Sequence, residues 1–173
     1  MKKQTLFIIF IFFLYIQLYS QNYQNHKYLY RICDDNFNCG YLNEKGDTVI
    51  IIGKYSICYT DTICSFGIVF KENNGYVGIN QKDSILFKIF VFDNGPDPIN
   101  EDLFRIIDDN GNIGYANSSG EIVIFPQYKC AYPFINKKAK VSFKCTQQYD
   151  GEYSSWESNN WLYIDKNGQL IND

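Results

Sequence analysis

The sequence predicts an all-β protein: an array of about four three-stranded antiparallel β-meanders that follows an N-terminal signal helix. Two observations support this fold class. The chain of 173 residues contains 15 tyrosines and 14 phenylalanines, and aromatic side chains favour pleated, half-buried strands. A pattern of short strands and Asn/Asp/Gly turns also recurs along the chain, and no stretch beyond the N-terminal segment shows a sustained helical period.

The recurring pattern is clearest in two stretches that lie 74 positions apart. Residues 104–124, FRIIDDNGNIGYANSSGEIVI, share 12 of 21 residues with 30–50, YRICDDNFNCGYLNEKGDTVI. A weaker copy at 67–87, GIVFKENNGYVGINQKDSILF, lies midway and gives a period of 37. A fourth copy begins with KVSFKC at 140–145 and resumes with WLYIDKNGQLI at 161–171, after an insertion. Self-similarity of this length indicates units that bury their apolar faces against their neighbours.

Each unit contains a strand, a polar turn, a second strand, a short turn that usually carries Gly, and a third strand. Asn, Asp and Gly suit these turns because they tolerate left-handed backbone and bond to it locally. The predicted units are about 28–64, 65–101, 102–138 and 139–173. The linker at 128–134, YKCAYPF, is a candidate for a single helical turn.

The N-terminus has the order of a secretory signal peptide, predicted to span residues 1–20. Lys2 and Lys3 precede an apolar run from Leu6 to Ile16, and Ser20 offers a small residue for cleavage. A retained anchor is the alternative, although a spanning helix needs about 20 predominantly apolar residues. We expect residues 21–27 to form a mobile segment and residues 28–173 to form the β-repeat domain, secreted or periplasmic.

Cleavage would leave 14 basic and 19 acidic residues, a net charge of −5. Nucleic acids and anionic membrane surfaces both require clustered Lys and Arg, so this charge disfavours them as partners. We expect no membrane insertion after cleavage.

Six cysteines behind a signal peptide favour disulfides. Cys33 and Cys39 flank the first hairpin turn, where the other copies carry apolar residues. This makes Cys33–Cys39 a candidate bridge, with a pair of buried, core-facing thiols as the alternative. The other predicted pairs are Cys58–Cys64 and Cys130–Cys145. No C-x-x-C is present and the chain has one histidine, which disfavours zinc.

The units resemble the WG-repeat family of secreted and envelope-associated bacterial proteins, across about residues 28–173. The third unit carries the resemblance best, through Ile113-Gly114-Tyr115-Ala116-Asn117, Gly120, Val123-Ile124, Pro126, Tyr128, Ala131 and Phe134. In the fourth unit Trp161 stands at the family's Trp position, followed by Leu162 where the family has Gly. The resemblance implies an all-β binding or scaffolding module with no established catalytic residues.

The residue types that commonly perform catalysis are poorly placed in this sequence. His26 is the only histidine, and it precedes the first strand in the segment expected to be mobile. The acidic pairs Asp34-Asp35 and Asp108-Asp109 occupy the same turn in two copies, which indicates a turn role. We therefore expect a non-enzymatic protein without a cofactor.

Two regions depart from the repeat. The first, 92–102 (FDNGPDPINED), is rich in oxygen ligands; Asp93, Asp97 and Asp102 form a weak calcium candidate, and a solvated turn is the favoured interpretation. The second is the insertion, which brings Tyr153 and Trp156 close to Trp161 in sequence. These residues could contact a sugar or a protein partner, or the tryptophans could instead cap the core of the array.

The favoured function is a protein–protein interaction or scaffold module with an unknown protein or glycan partner. The alternatives are a carbohydrate-binding protein that uses Trp156 and Trp161, and a toxin-inhibitor or immunity partner, which needs a stable scaffold with an acidic face. An enzyme is the least favoured class.

Overall fold

The computed structural model describes residues 27–151 and 153–171, and in this part of the chain all regular structure is β. The predicted signal peptide at 1–20, its helix, His26 and nearly all of the expected mobile segment lie outside the described residues. The described strands are β1 (Leu29–Cys33), β2 (Cys39–Leu42), β3 (Thr48–Tyr55), β4 (Ile57–Cys58), β5 (Thr62–Ile63), β6 (Gly67–Lys71), β7 (Gly75–Ile79), β8 (Ile85–Ile89), β9 (Val91–Phe92), β10 (Gly95–Pro96), β11 (Leu103–Ile107), β12 (Ile113–Asn117), β13 (Ile122–Tyr128), β14 (Cys130–Ala131), β15 (Ala139–Ser142), β16 (Thr146–Asp150), β17 (Tyr153–Glu157), β18 (Leu162–Ile164) and β19 (Leu170–Ile171).

Four antiparallel meanders account for most of these strands, which confirms the all-β, antiparallel prediction. The first meander is β1-β2-β3, the second β6-β7-β8, the third β11-β12-β13 and the fourth β15-β18-β19. They are distributed over a four-stranded sheet (β3-β2-β1-β5), a seven-stranded sheet (β13-β12-β11-β8-β7-β6-β4) and a second four-stranded sheet (β14-β15-β18-β19). The second and third meanders therefore share one sheet, joined where β8 pairs with β11.

The same Asx turn joins the second and third strands of every meander. In the first meander the Asn43 side-chain oxygen accepts the backbone N–H groups of Lys45 and Asp47, both at 2.9 Å. Asn80, Asn117 and Asp165 accept the equivalent pairs of N–H groups in the other three. A short side-chain acceptor at this position replaces backbone bonds that the tight turn cannot make.

Gly40 and Gly114 occupy the second strands of the first and third meanders, beside a β-bulge of the third strand. A Cβ at Gly40 would lie 2.4 Å from the carbonyl oxygen of Ile50, and one at Gly114 would lie 2.4 Å from that of Ile124. Because the bulged backbone passes so close, only glycine fits at these two positions.

Three apolar clusters hold the sheets together. One joins the first meander to the second through residues such as Tyr41, Ile50 and Val77. Another joins the third meander to the fourth through Tyr115 and Val141, among others. The remaining cluster is shared by the second and third meanders. Each meander is therefore buried against a neighbour.

The linker at 128–134 does not form the helical turn considered from the sequence. Tyr128 ends β13, and Cys130–Ala131 forms β14, which pairs with β15. Extended backbone is favoured here because β14 supplies an edge strand to the last four-stranded sheet. Between residues 27 and 171, apart from 152, there is no apolar helix long enough to cross a lipid bilayer.

Candidate interaction surface on the fourth meander

The insertion in the fourth meander folds into a β-hairpin, β16-β17, which forms a two-stranded sheet of its own. Its register runs from Thr146 opposite Glu157 to Asp150 opposite Tyr153. This hairpin was not predicted from the sequence. The dipeptide Asp150-Gly151 was the available signal, since Asp-Gly is among the strongest short-range indicators of a hairpin turn, and Gly151 adopts a φ of 62°.

Hydrogen bonds fix the base of the hairpin to β15. The hydroxyl of the fully buried Ser142 lies 2.8 Å from that of Ser158. Ser142 Oγ is also within 3.0 Å of the backbone oxygen of Asn160, while Ser158 Oγ donates to the backbone oxygen of Lys144 at 2.7 Å. These contacts hold the two ends of the insertion together.

A disulfide reinforces the base from the other side. Cys130 in β14 is bonded to Cys145, which directly precedes β16, with 6.2 Å between their Cα atoms. The hairpin thus leaves the domain from a covalently closed and hydrogen-bonded base.

Trp156 lies on the hairpin at the centre of a chain of aromatic contacts. Its ring meets Phe90 edge to face at a centroid distance of 5.9 Å and Tyr132 at 5.4 Å. Tyr132 in turn contacts Trp161 at 5.6 Å. We call Phe90, Tyr132, Trp156 and Trp161 the aromatic ladder. All four side chains are half-buried, and edge-to-face rings bind each other favourably.

A cation lies over each end of the aromatic ladder. The guanidinium of Arg105 stands 4.3 Å from the Phe90 ring centroid, and Lys140 Nζ stands 4.6 Å from that of Trp161. Such cation–π contacts contribute roughly 0.5–1 kcal/mol where solvent reaches them. The ladder therefore docks the hairpin and also forms a partly exposed surface.

Two of the residues predicted to form a surface lie close together. Trp156 and Trp161 share Tyr132 as a common neighbour. Tyr153 belongs to β17, and its side chain lies outside the described residues. Both tryptophan rings are half-buried, and Trp156 packs against the apolar cluster of the third and fourth meanders.

A polar cleft of about 380 Å³ adjoins the base of the hairpin. It is lined by Lys144, Cys145, Thr146, Glu157, Ser158, Asn159 and Asn160. The cleft therefore offers amide and hydroxyl groups together with one cationic and one anionic side chain. Such groups suit a polar, hydroxyl-rich or peptide-like ligand.

The aspartates of the predicted calcium loop are not assembled into one site. Asp97 is buried and forms an ion pair with Arg105, whose Nε donates to it at 3.0 Å. Asp102 accepts the Ser118 hydroxyl, and Asp93 is an exposed turn residue with φ of 47°. Among the described residues no group of three His, Cys, Asp or Glu side chains could hold a metal ion.

Asp97 instead organises the connection between the second and third meanders. Its carboxylate accepts the Arg105 backbone N–H at 2.8 Å, while Arg105 also donates to the Ala131 backbone oxygen at 3.1 Å. A buried carboxylate requires such a cationic, fully hydrogen-bonded partner. The sequence favoured a solvated turn for the whole loop, and for Asp97 this interpretation was wrong.

Cys33 and Cys39 are bonded across β1 and β2, where they are direct cross-strand neighbours. The two side chains differ in burial: Cys33 is exposed, whereas Cys39 is half-buried and packs against the apolar cluster shared by the first and second meanders. The alternative of two buried free thiols was therefore wrong.

Cys58 and Cys64 do not form the predicted bridge; both are free thiols. Cys58 lies in β4 of the seven-stranded sheet and is buried, whereas Cys64 follows β5 of the first four-stranded sheet and is exposed. Their two strands belong to different sheets, so sequence proximity does not make them neighbours. Burial raises the pKa of the Cys58 thiol, which disfavours the reactive thiolate.

Asp34 and Asp108 lie in the first turns of the first and third meanders, as the sequence predicts. Asp34 accepts the backbone N–H groups of Asn36 and Asn38, and Asp108 accepts those of Asn110 and Asn112. The side-chain amide and backbone N–H of Asn38 lower the pKa of Asp34. At Asp108, partial desolvation raises the pKa, but the backbone and side-chain hydrogen bonds from Asn112 outweigh it, and the pKa lies below the ordinary value.

Comparison with known proteins finds no family pattern that matches this chain, and no curated protein or solved structure that is similar to it.

Proposed function

We propose that this chain is a non-enzymatic β-repeat scaffold of the WG-repeat type, with a period of 37 residues, and that it presents hairpin β16-β17 and the aromatic ladder to a protein partner. The observation that carries this proposal is the rigid anchoring of an otherwise exposed hairpin. The recurrent Asx turn and the paired glycines Gly40 and Gly114 support the repeat assignment.

Anchoring favours binding because a pre-organised element loses little conformational entropy when a partner docks. The disulfide at Cys145, the hydroxyl pair Ser142–Ser158 and the packing of Trp156 all restrain the hairpin. A hairpin that served only to connect two strands would not need these restraints. In the second meander the equivalent first and second strands are connected by the short turn from Lys71 to Gly75 alone.

The hairpin also offers unused binding groups. Gln147, Gln148, Ser154 and Ser155 are exposed, and no third strand among the described residues pairs with β16 or β17. An extended segment of a partner can add to such an edge through main-chain hydrogen bonds. Half-buried Trp and Tyr rings beside it are typical anchors of protein interfaces.

Two cysteine pairs at bonding distance are compatible with an oxidising compartment. Together with the predicted signal peptide, they support a secreted or periplasmic location.

The proposal is tested by comparing captured partners of the wild-type protein with those of Gln148→Lys/Ser155→Lys. The control, Asn36→Lys/Asn74→Lys, adds the same charge at exposed turns of the first and second meanders. We expect a partner that binds the wild type and the control and loses at least about tenfold in affinity for the hairpin variant. Calorimetry with the purified partner measures this loss. A partner whose affinity is unchanged by the hairpin variant contradicts the proposal.

A second candidate function is glycan binding, favoured by the polar cleft next to Trp161. Asn159, Asn160 and Glu157 supply sugar-type hydrogen-bond groups there, and Trp161 supplies an aromatic surface. Titration with a panel of oligosaccharides should quench tryptophan fluorescence in the wild type and not in Trp161→Ala. Quenching that persists in both Trp156→Ala and Trp161→Ala assigns the signal to another cause.

A further inference from the structure

The fourth meander carries a concentration of positive charge that the rest of the chain lacks. Residues 129–144 contain five lysines and no acidic residue, although the chain as a whole has 16 basic and 19 acidic residues. Three of these lysines, Lys138, Lys140 and Lys144, lie in β15 or within two residues of its ends. A local patch of one charge raises the local concentration of oppositely charged ligands. The fourth meander is therefore the part of this chain best suited to an anionic ligand.

Lysines and aromatic rings share one face of this meander. Lys140 lies opposite Tyr163 in the pairing of β15 with β18. Lys140 Nζ stands 4.6 Å from the Trp161 ring centroid, and Lys138 Nζ stands 4.8 Å from that of Tyr163. Alternate residues such as Val141 belong to the apolar cluster on the other face. We call Lys138, Lys140, Trp161 and Tyr163 the cationic–aromatic face; all four side chains are half-buried.

The polar cleft at the base of the hairpin adjoins this face at Trp161. Asn160 and Lys144 both line the cleft, and Asn160 directly precedes Trp161 in the chain. Ser142 Oγ lies 2.8 Å from the backbone oxygen of Lys144 and 3.0 Å from that of Asn160. A buried hydroxyl therefore holds the two segments together. As a result, the Trp161 ring stands next to the amide and hydroxyl groups of the cleft.

Two lysines at this place can accept an anionic ligand. Within the described residues, no carboxylate forms an ion pair with Lys140 or Lys144. Among the residues that line the cleft, Glu157 alone is acidic, and its side chain is exposed. A carboxylate of a ligand can therefore bind Lys140 or Lys144 without breaking an existing ion pair, and charge-assisted hydrogen bonds of this kind are strong.

We propose that the cationic–aromatic face and the adjoining cleft bind an acidic glycan, a chain of sugars that carry carboxylate groups. Trp161 and Tyr163 contact the apolar faces of the sugar rings, and Lys140 and Lys144 bind their carboxylates. The Asn160 amide bonds to sugar hydroxyls. Rings beside cations suit a uronate sugar, because each unit presents an apolar C–H face and a carboxylate together. This ligand is a more specific form of the glycan proposed above, and the inference rests on that candidate function.

The test is a tryptophan fluorescence titration of the chain without its predicted signal peptide, with the disulfides formed. The ligands are oligomers of galacturonate, of mannuronate and of hyaluronan, each compared with the same oligomer after methyl esterification of its carboxylates. We expect at least one acidic oligomer to bind and quench the fluorescence, and its ester to bind at least about tenfold more weakly. Affinity for the acidic oligomer should also fall as salt is added, because salt screens exposed charges.

Three variants locate the site. Lys140→Gln/Lys144→Gln should bind the acidic oligomer at least about tenfold more weakly and leave the affinity for the ester unchanged. The matched control, Lys27→Gln/Lys71→Gln, makes the same change of charge outside the fourth meander and should bind like the wild type. Glu157→Gln should bind the acidic oligomer more tightly, because it removes the like charge from the cleft. Such a gain in affinity does not arise from misfolding.

The possible results separate the acidic ligand from glycan binding in general. Equal affinity for an acidic oligomer and its ester overturns the acidic ligand and leaves the glycan-binding candidate standing. No binding of these oligomers or of any neutral oligosaccharide overturns both. Binding that Lys140→Gln/Lys144→Gln leaves intact places the ligand elsewhere and overturns the proposal. Equally tight binding of oligothymidylate also overturns it, because it would indicate a surface for any polyanion.

Discussion

The first and third meanders are built from nearly the same residues but differ in how deeply those residues are buried. Arg31 and Arg105 each hold a linker: Arg31 donates to the Cys58 backbone oxygen at 2.8 Å, and Arg105 to that of Ala131 at 3.1 Å. Tyr41 and Tyr115 also each donate their hydroxyl to a linker carbonyl. The local construction of the two meanders is therefore shared.

The surroundings of the two arginines are not shared. Arg31 pairs with Asp61 at the surface, where the two side chains are 37% and 78% exposed. Arg105 pairs with Asp97 in the interior, where they are 4% and 1% exposed. The two aspartates come from different places in the repeat, since Asp61 follows the first meander and Asp97 precedes the third. The equivalent arginines therefore form one exposed and one buried ion pair.

The largest predicted difference between the two meanders is at these arginines. Arg105→Met leaves the Asp97 carboxylate buried without its cation, so we expect the free energy of unfolding to fall by about 3–5 kcal/mol. Arg31→Met removes a solvent-exposed pair and should cost roughly 0–1 kcal/mol. Urea unfolding of both variants measures the contrast.

The double variant Asp97→Asn/Arg105→Met is the control for charge burial, and it should lose less stability than Arg105→Met alone. Equal losses for Arg31→Met and Arg105→Met would mean that burial does not distinguish the two meanders.

A smaller effect should be common to both meanders. Gly40→Ala and Gly114→Ala each place a methyl group 2.4 Å from a backbone oxygen, and we expect each to cost about 1–3 kcal/mol through overpacking. Gly95→Ala is the control, because its nearest contact, the Phe92 backbone oxygen, lies at an ordinary 3.8 Å. Thermal unfolding measures the loss of stability in each variant. Clearly different losses for Gly40→Ala and Gly114→Ala, or no loss in either, would refute the shared bulge as the cause.

The smallest predicted effect concerns the turn carboxylates. The pKa values of Asp34 and Asp108 both lie below the ordinary 3.8. Any stability that they contribute is therefore present above that value and is lost as the pH falls through their folded-state pKa values. Carboxyl chemical shifts in an NMR titration should give midpoints below 3.8 for both. Asn38→Ala and Asn112→Ala should raise the respective midpoints, and unchanged midpoints would contradict the hydrogen-bond explanation.

Much of the local structure could be predicted because it depends on residues close together in sequence. The first strands of the meanders and the turns at Asn43, Asn117 and Asp165 follow from strand propensity and from side chains that bond their own backbone. The hairpin was also locally encoded, through Asp150-Gly151, although it was not recognised in the insertion. The candidate surface was predicted in part: the tryptophans were identified, but their neighbours Phe90 and Tyr132 come from the segments that follow the second and third meanders.

By itself, the sequence determined the all-β class, the order of strands and turns within each meander, and the turn positions that require Asn, Asp or Gly, because these depend on backbone preferences within a few residues. Only the tertiary structure decided that Asp97 faces Arg105, that Cys58 and Cys64 lie in different sheets, and that Trp156 lies between Phe90 and Tyr132. The same local pattern can be buried or exposed, and the outcome depends on which distant strand packs against it.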